Sequence, residues 1–346
     1  MGNDSGSIAP VTPSARARAF PHRKAGHCGS GALRDLLEFH GLDFDGTPLS
    51  EAMVFGLSGG YGFFYGDEVP GVPFYLVGRS GSMELDVAGH LGATVDLRQT
   101  DDPDEGWAWT RAAIDRGAPP MVWADIGELE YLRVRMSNTR HDIVIVDYDD
   151  ENDVAWVADN DREELQLCSL ESLRRARNSP AFPGPNRSTT FMYDWPTELP
   201  PLRQAFGGAT STALANMRGG AAAVGDLGGH TGLAGVDHLA QSFPQWPAMF
   251  GDGLPVALDV LRVLIVKAGT GGAMFRSLQA GFLEETAAQL EDAEIAATAG
   301  VVRRLSDAWE HLAVVAAGHD HAAANDTVQE IRRLEHDAVA AMERHA

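Results

Sequence analysis

Leu33, Leu36, Leu37 and His40 fall at i, i+3, i+4 and i+7, a helical period that predicts one helix from the stretch Gly26-His27-Cys28-Gly29-Ser30-Gly31 to a stop at Gly41. Cys28 is thereby placed at a helix start. A second helix is expected to open at Thr47-Pro48, with the threonine as N-cap, and to run through Leu49, Ala52, Met53 and Phe55 to Gly56. The glycine- and aromatic-rich run from Gly56 to Gly66 lacks the preceding strand and following helix that a dinucleotide fingerprint needs. It reads as a turn feeding an aromatic strand, either a wall of an active cleft or a glycine-mediated bend.

Trp107 to Arg116 is predicted helical, and Pro120 to Ala124 a short buried strand. The apolar run His141 to Tyr148, the polar turn Asp149-Asp150-Glu151-Asn152 and the second apolar run Asp153 to Asp159 predict a hairpin. Cys168 to Asn178 continues as a helix on Leu170, Leu173 and Ala176, with Cys168 in the core and Arg174, Arg175 and Arg177 as a basic patch. Proline-rich punctuation at Pro180 to Asn186 and Pro196 to Pro201 marks a domain boundary. Beyond it, residues 207–235 read as Gly/Ala-rich loops between short helices, and Pro255 to Ala268 as a buried helix. Amphipathic helices are expected over Ala273 to Leu290 and Ala297 to Ala317, and a charged terminal helix over Thr327 to His345. The pattern is that of an α+β protein: a loose arm over residues 1–19, a first domain over 20–195 and a mainly helical one over 200–346.

Chemistry enters at the helix start. Free backbone N–H groups and the positive end of the helix dipole favour a thiolate there and can also hold an oxyanion. With the hairpin turn centred on residues 150–151, His141 faces Asp159 or its neighbour, where a carboxylate can orient the imidazole. Asp161, of the same strand-end parity, and Asp147, within the hairpin, are the alternatives. Tyr65 and Tyr131 could line the cleft, but buried aromatics are more often core, and both are left outside the site. His22, His27 and Cys28 have poor spacing for zinc and no second ligand pair, and His319 and His321 around Asp320 read as a solvated loop. No metal and no cofactor are expected.

Composition narrows the setting. The 49 acidic and 27 basic residues give a net charge of −22, which argues against a nucleic-acid partner and favours a cationic one. Lys24 and Lys267 are the two lysines, so the positive charge is nearly all arginine. With only Cys28 and Cys168 there is no disulfide scaffold, and a reduced, cytoplasmic protein is expected. Neither a signal-peptide core nor a membrane span stands out, so no membrane partner is expected.

Cysteine at a helix start, then histidine at the head of a strand, then aspartate, is the chain order of papain-like sites. His27-Cys28-Gly29-Ser30, Gly59-Gly60-Tyr61-Gly62-Phe63-Phe64-Tyr65 and Asp125 to Leu132 before His141 together resemble the N-terminal domain of butirosin biosynthesis protein H. So do Ala158-Asp159 and the stretch from Ser169-Leu170-Glu171-Ser172-Leu173 to Asn186-Arg187. Gly271-Gly272-Ala273-Met274-Phe275-Arg276 and Gly281-Phe282-Leu283-Glu284-Glu285 resemble the helical domain that usually follows it, so the likeness spans roughly residues 20–320.

The resemblance implies a papain-like fold akin to the bacteriocin-processing cysteine peptidases, with an antiparallel sheet and a helical C-terminal domain. It implies an acyltransferase of specialised metabolism, moving an acyl or aminoacyl group from a carrier-protein or coenzyme A-type thioester to a small-molecule amine. Cys28 would be the nucleophile, His141 the base and then the acid, and Asp159 the orienting group. Related peptidases place a glutamine shortly before the cysteine, where this chain has His22, so the backbone N–H of Cys28 is the candidate oxyanion donor. An acidic carrier would need a basic dock, for which Arg174, Arg175 and Arg177, or Arg23 and Lys24, are candidates, whereas a cationic acceptor would be drawn in. The same triad also suits a hydrolase, either peptidase or thioesterase, and a third class is an interaction module without chemistry. A helical partner domain could cover the cleft and form an acceptor pocket, and its surplus apolar surface suggests a homodimer.

Overall fold

The computed structural model describes residues 12–67, 69, 72–134, 136–219, 228–267 and 271–346. It is an α+β protein with antiparallel sheets, grouped into two compact units. The chain up to Leu42 joins Thr94–Trp195 in the first unit, and Asp43–Ala93 joins Pro196–Ala346 in the second. The expected uninterrupted domain over 20–195 is therefore broken by an excursion. Its helix Glu51–Leu57 packs on the helices Arg276–Leu290 and Leu202–Met217, so that its apolar face is buried in the second unit.

In the first unit the helices are α1 (Ala15–Ala19), α2 (Cys28–Phe39), α3 (Pro103–Asp115) and α4 (Leu170–Asn178). The strands are β1 (Thr94–Arg98), β2 (Met121–Ala124), β3 (His141–Asp149), β4 (Val154–Ala158), β5 (Gln166–Ser169) and β6 (Thr190–Asp194). They form one antiparallel sheet in the order β1-β6-β2-β3-β4-β5. Ile143, Ile145, Ala155 and Val157 join Val122, Ile114, Leu173 and Cys168 in its core, while α2 packs on β3.

Local chemistry moved several boundaries. Asp102 caps α3 through the Asp104 and Glu105 N–H groups, so that helix starts four residues before Trp107. Ser169 caps α4, which leaves Cys168 in β5. Thr47-Pro48 opens no helix: it pairs as a short strand with Asp43–Phe44, and Ser50 caps the helix that follows by accepting the Met53 N–H. Of the expected loose arm, residues 1–11 lie outside the described residues. Beyond them Ser14 caps α1 and hydrogen-bonds Asp147, Arg16 lies 3.6 Å from the same carboxylate, and Ala17 is buried.

In the second unit, Leu202–Met217 is a continuous helix where Gly/Ala-rich loops were expected, because Ala205, Ala209 and Ala213 are small enough to be buried against their neighbours. The strand Tyr61–Gly66 is buried throughout and lies between Tyr75–Arg79 and His230–Thr231. Its aromatics serve this unit's core: Phe63 packs on Trp309 and the Tyr61 hydroxyl donates to Glu335 at 2.6 Å. Glu335 also accepts from Arg276 Nε at 2.8 Å and from Trp309 Nε1 at 3.0 Å. Arg276 Nη1 in turn donates to the carbonyls of Gly62, Gly78 and Met274. It anchors the left-handed run from Gly271 to Phe275, where Ala273, Met274 and Phe275 all have positive φ. A side chain at Gly78 would meet the Met274 carbonyl at 2.3 Å, so this approach needs glycine.

Replacing Glu335 by Ala leaves Arg276 charged, buried and without its carboxylate. The expected loss is about 3–5 kcal/mol, read as a fall in the urea midpoint followed by tryptophan fluorescence.

Candidate active site

Cys28 is the first residue of α2, partly exposed, behind the N-cap His27. His27 Nδ1 accepts the Ser30 N–H at 3.2 Å, so in the neutral ring the proton sits on Nε2. The helix behind the cysteine is buried on nearly all sides, from Gly29 to Leu37, and includes the pair Arg34–Asp35. Arg34 donates to the carbonyls of Arg23 and Lys24, and His22 Nδ1 meets Asp35 Oδ2 at 2.6 Å, which staples the preceding loop onto the helix. A second staple reaches the sheet: Ala25 N–H donates to the Asn160 carbonyl at 2.9 Å, and Asn160 Nδ2 donates back to the Ala25 carbonyl at 3.1 Å. A Cβ on Gly31 would lie 2.7 Å from that of Ala25, so glycine is what admits this crossing.

His141 opens β3 and Asp159 follows the end of β4 at the same sheet edge. The observed pairs Asp149↔Val154 and Val144↔Ala158 differ from the expected register. The turn lies one residue further along, at residues 150–153, and the ladder shifts between Ile145 and Asp147. The meeting survives because Asp159, one residue beyond the last paired position, reaches His141 Nε2 at 2.9 Å with its Oδ2. His141 and Cys28 are close enough to shift each other's protonation. The three residues singled out from the sequence are thus brought together, with the direct hydrogen bond running between His141 and Asp159.

The alternatives to Asp159 are engaged elsewhere. Asp161 is exposed and paired with Arg162, and Asp147 holds Ser14 and Arg16. Tyr131, read from the sequence as core, donates its hydroxyl to Asp159 Oδ2 at 2.9 Å, and the Asp161 N–H donates to Asp159 Oδ1 at 3.0 Å. The loop carrying Tyr131 is shaped by buried Asp125, which accepts from the Gly127 and Asn138 N–H groups and from Ser179 Oγ. No periodicity signals such a tyrosine. A second group missed from the sequence is Asp142, 1% exposed, whose Oδ2 lies 3.7 Å from Cys28 Sγ.

Electrostatics separate the groups. Burial pushes the Cys28 thiol up, but the charges and hydrogen bonds of His27 and His141 more than reverse this and hold it well below its ordinary range. Burial pushes the His141 imidazolium down, yet Asp159, and then Cys28, hold it well above the usual value. The Asp159 carboxyl, raised by burial, is brought below its ordinary value by His141, the Asp161 N–H and Tyr131. Tyr131 itself is raised well above a normal phenol by burial and by Asp159, so it stays a donor. Both shifts favour a thiolate–imidazolium pair, and that of Asp159 favours a charged carboxylate behind it. Cys168, by contrast, is pushed up to about 12 by burial.

Two expectations are not met. The basic patch on α4 is spent: Arg174 pairs with Asp104, Arg175 with Glu128 and Glu171, and Arg177 is buried on Gly106, Ser188 and Thr190, its guanidinium pushed down to about 10 by burial. Arg23 pairs with Glu38. Among the described residues no group of three or more His, Cys, Asp or Glu is arranged to hold a metal ion, and no helix is long and apolar enough to cross a membrane.

The profile of the family described as butirosin biosynthesis protein H, N-terminal, matches residues 27–160, a span that contains Cys28, His141 and Asp159. That of a domain of unknown function, DUF4872, matches residues 171–345. No curated protein matches the chain in sequence.

With Cys28 lowered and His141 raised, the ion pair persists between the two values, so thiolate reactivity remains as pH falls below the ordinary thiol range. In the folded protein at about pH 6, iodoacetamide is expected to alkylate Cys28 and spare Cys168, as read by peptide mass mapping. Replacing His141 by Ala should move the onset of Cys28 alkylation up by about one pH unit or more.

Proposed function

We propose, from the premise that the chain belongs to the butirosin biosynthesis protein H family, that it is a biosynthetic enzyme transferring an acyl or aminoacyl group from a thioester to an amine through a Cys28 acyl-enzyme. The observation that supports this reading is the meeting of Cys28 at a helix start with His141, which is hydrogen-bonded to the buried Asp159. The first unit would then be a papain-like catalytic domain, its nucleophile on the helix that packs on the sheet and its base on the sheet edge. The free thiols Cys28 and Cys168 suit a reduced, cytoplasmic setting.

In the first half-reaction the Cys28 thiolate attacks the thioester carbonyl. The oxyanion forms over the start of α2, where the Cys28 N–H and the helix dipole offer stabilisation. The tetrahedral adduct collapses, the donor thiolate leaves with the proton of His141, and the acyl group stays on sulfur as a thioester of nearly equal energy. In the second half-reaction neutral His141 receives a proton from the attacking nitrogen, the amide forms, and Cys28 departs as thiolate. Asp159 keeps the imidazole oriented and stabilises its charged form, with Tyr131 as the positioning residue behind it. The donor is an acyl carrier protein or a smaller pantetheine thioester and the acceptor a small-molecule amine. The family's name fits a role in antibiotic biosynthesis.

Intact-protein mass spectrometry with a panel of acyl-pantetheine thioesters tests the nucleophile. A mass gain of one acyl group on wild type and none on Cys28→Ala is expected; label retained by Cys28→Ala would sink the assignment. Amine-dependent loss of that mass marks a transferase, and equal loss in water alone a hydrolase. In turnover assays Asp159→Asn should fall roughly 10⁴-fold, whereas Tyr131→Phe, losing one hydrogen bond to a charged group, should fall about tenfold.

A further inference from the structure

Arg177 is spent as a surface cation but not as a donor. It is 3% exposed on α4, and burial alone shifts its guanidinium, down to about 10, so it stays charged at neutral pH. Its hydrogen bonds all leave from Nη2, to the carbonyls of Gly106 at 3.3 Å and Ser188 at 3.4 Å and to Thr190 Oγ1 at 2.9 Å. Among the described residues Nη1 donates to nothing, and Nε is sealed from solvent without an acceptor. A guanidinium taken out of water ordinarily meets an anion that matches its fork. The other deeply buried arginine, Arg276, has one in Glu335, whereas Arg177 has only neutral oxygens.

The same side chain lines a cavity of about 410 Å³ between α3 and α4, a size that suits a small ligand. Its apolar wall is built from Pro103, Trp107, Leu170 and Leu173. Two acids at its border are already engaged, Asp104 with Arg174 and Glu171 with Arg175, so neither serves Arg177. Both helices begin at this wall, which adds the positive ends of their dipoles to the guanidinium. The cavity is remote from the cysteine: it is bordered by Asp153 in the turn before β4, while Asp159 follows the other end of that strand. At about 3.3 Å per strand residue the two ends lie roughly 20 Å apart.

We propose that this cavity binds a small organic acid, its carboxylate on the free N–H groups of Arg177 and its apolar body against Trp107, Leu170 and Leu173, at a site separate from Cys28. The carboxylate supplies the negative charge that two carbonyls and a hydroxyl cannot. The apolar wall selects an acid with a hydrophobic body over a bare anion, and the buried cation selects the acid over a neutral molecule of the same shape. The net charge of −22 opposes an anion at long range, but salt screens that field beyond about 10 Å at 0.1 M, and at contact Arg177 decides. The site does not depend on the reaction proposed for Cys28.

The test measures Kd on the full chain by saturation-transfer NMR for phenylacetate and 4-methylpentanoate and for the matching neutral alcohols, 2-phenylethanol and 4-methylpentanol. At least one acid is expected to bind about tenfold or more tightly than its alcohol, and equimolar inorganic phosphate should not displace it. In Arg177→Gln the affinity for that acid should fall about tenfold. Leu170→Trp, which fills the cavity and leaves Arg177 in place, should also lose the acid and serves where the first variant does not fold. Cys28→Ala should bind as wild type does. Acids held no better than their alcohols, displacement by equimolar phosphate, or full affinity in either folded cavity variant overturns the proposal, and loss of binding in Cys28→Ala does so by placing the acid at the cysteine.

Discussion

A single buried carboxylate organises the first unit. Asp159 has no exposed surface, and a charge so placed persists only when its oxygens are met by donors. Three are provided, each from a different part of the chain: His141 at the head of β3, Tyr131 from the loop after β2, and the Asp161 N–H from the turn that follows β4. Satisfying the charge therefore fixes the tyrosine loop, the turn and the imidazole together. A hydrogen bond to a charged group is worth roughly 1.5–3 kcal/mol net, and leaving the group unmet costs more. The carboxylate is thus at once a folding constraint and the device that sets the histidine's orientation.

The same turn also locates Cys28. Asn160, immediately after Asp159, grips Ala25 by two hydrogen bonds three residues before Cys28. Any movement of the Asp159 turn is therefore felt at the start of α2. On the far side, Arg34 and Asp35 hold residues 22–24 down on the helix. The helix start, exposed enough to admit a substrate at Cys28, is thus clamped from both directions. The proposed acyl transfer would need this rigidity, since sulfur, imidazole and the helix N–H groups would have to be in place beforehand.

What the sequence made legible was the part governed by local rules. Helical spacing and the glycine stop located α2, and alternating apolar runs located the hairpin, which together brought Cys28, His141 and Asp159 to one place. The details that escaped are long-range or irregular. The ladder shift between Ile145 and Asp147 has no composition signal, so the register was misjudged even though His141 and Asp159 do meet. Tyr131 looks like any core aromatic until its hydroxyl is seen on Asp159. Asp142 lay unnoticed inside an apolar run, where its burial beside sulfur depends on α2 packing on β3. The excursion of Asp43–Ala93 into the second unit follows from which helix faces meet, something no local pattern encodes.

The arginines of α4 carry the last lesson. Read as a linear cluster they form a basic patch, but folding gives each a local use: Glu128 and Glu171 neutralise Arg175, Asp104 lies on Arg174, and Arg177 goes into the core to satisfy two carbonyls and a threonine hydroxyl. Exposed pairs of this kind contribute little stability, yet they cancel the field that an acidic docking partner would sense. With a net charge of −22, the long-range field draws cations.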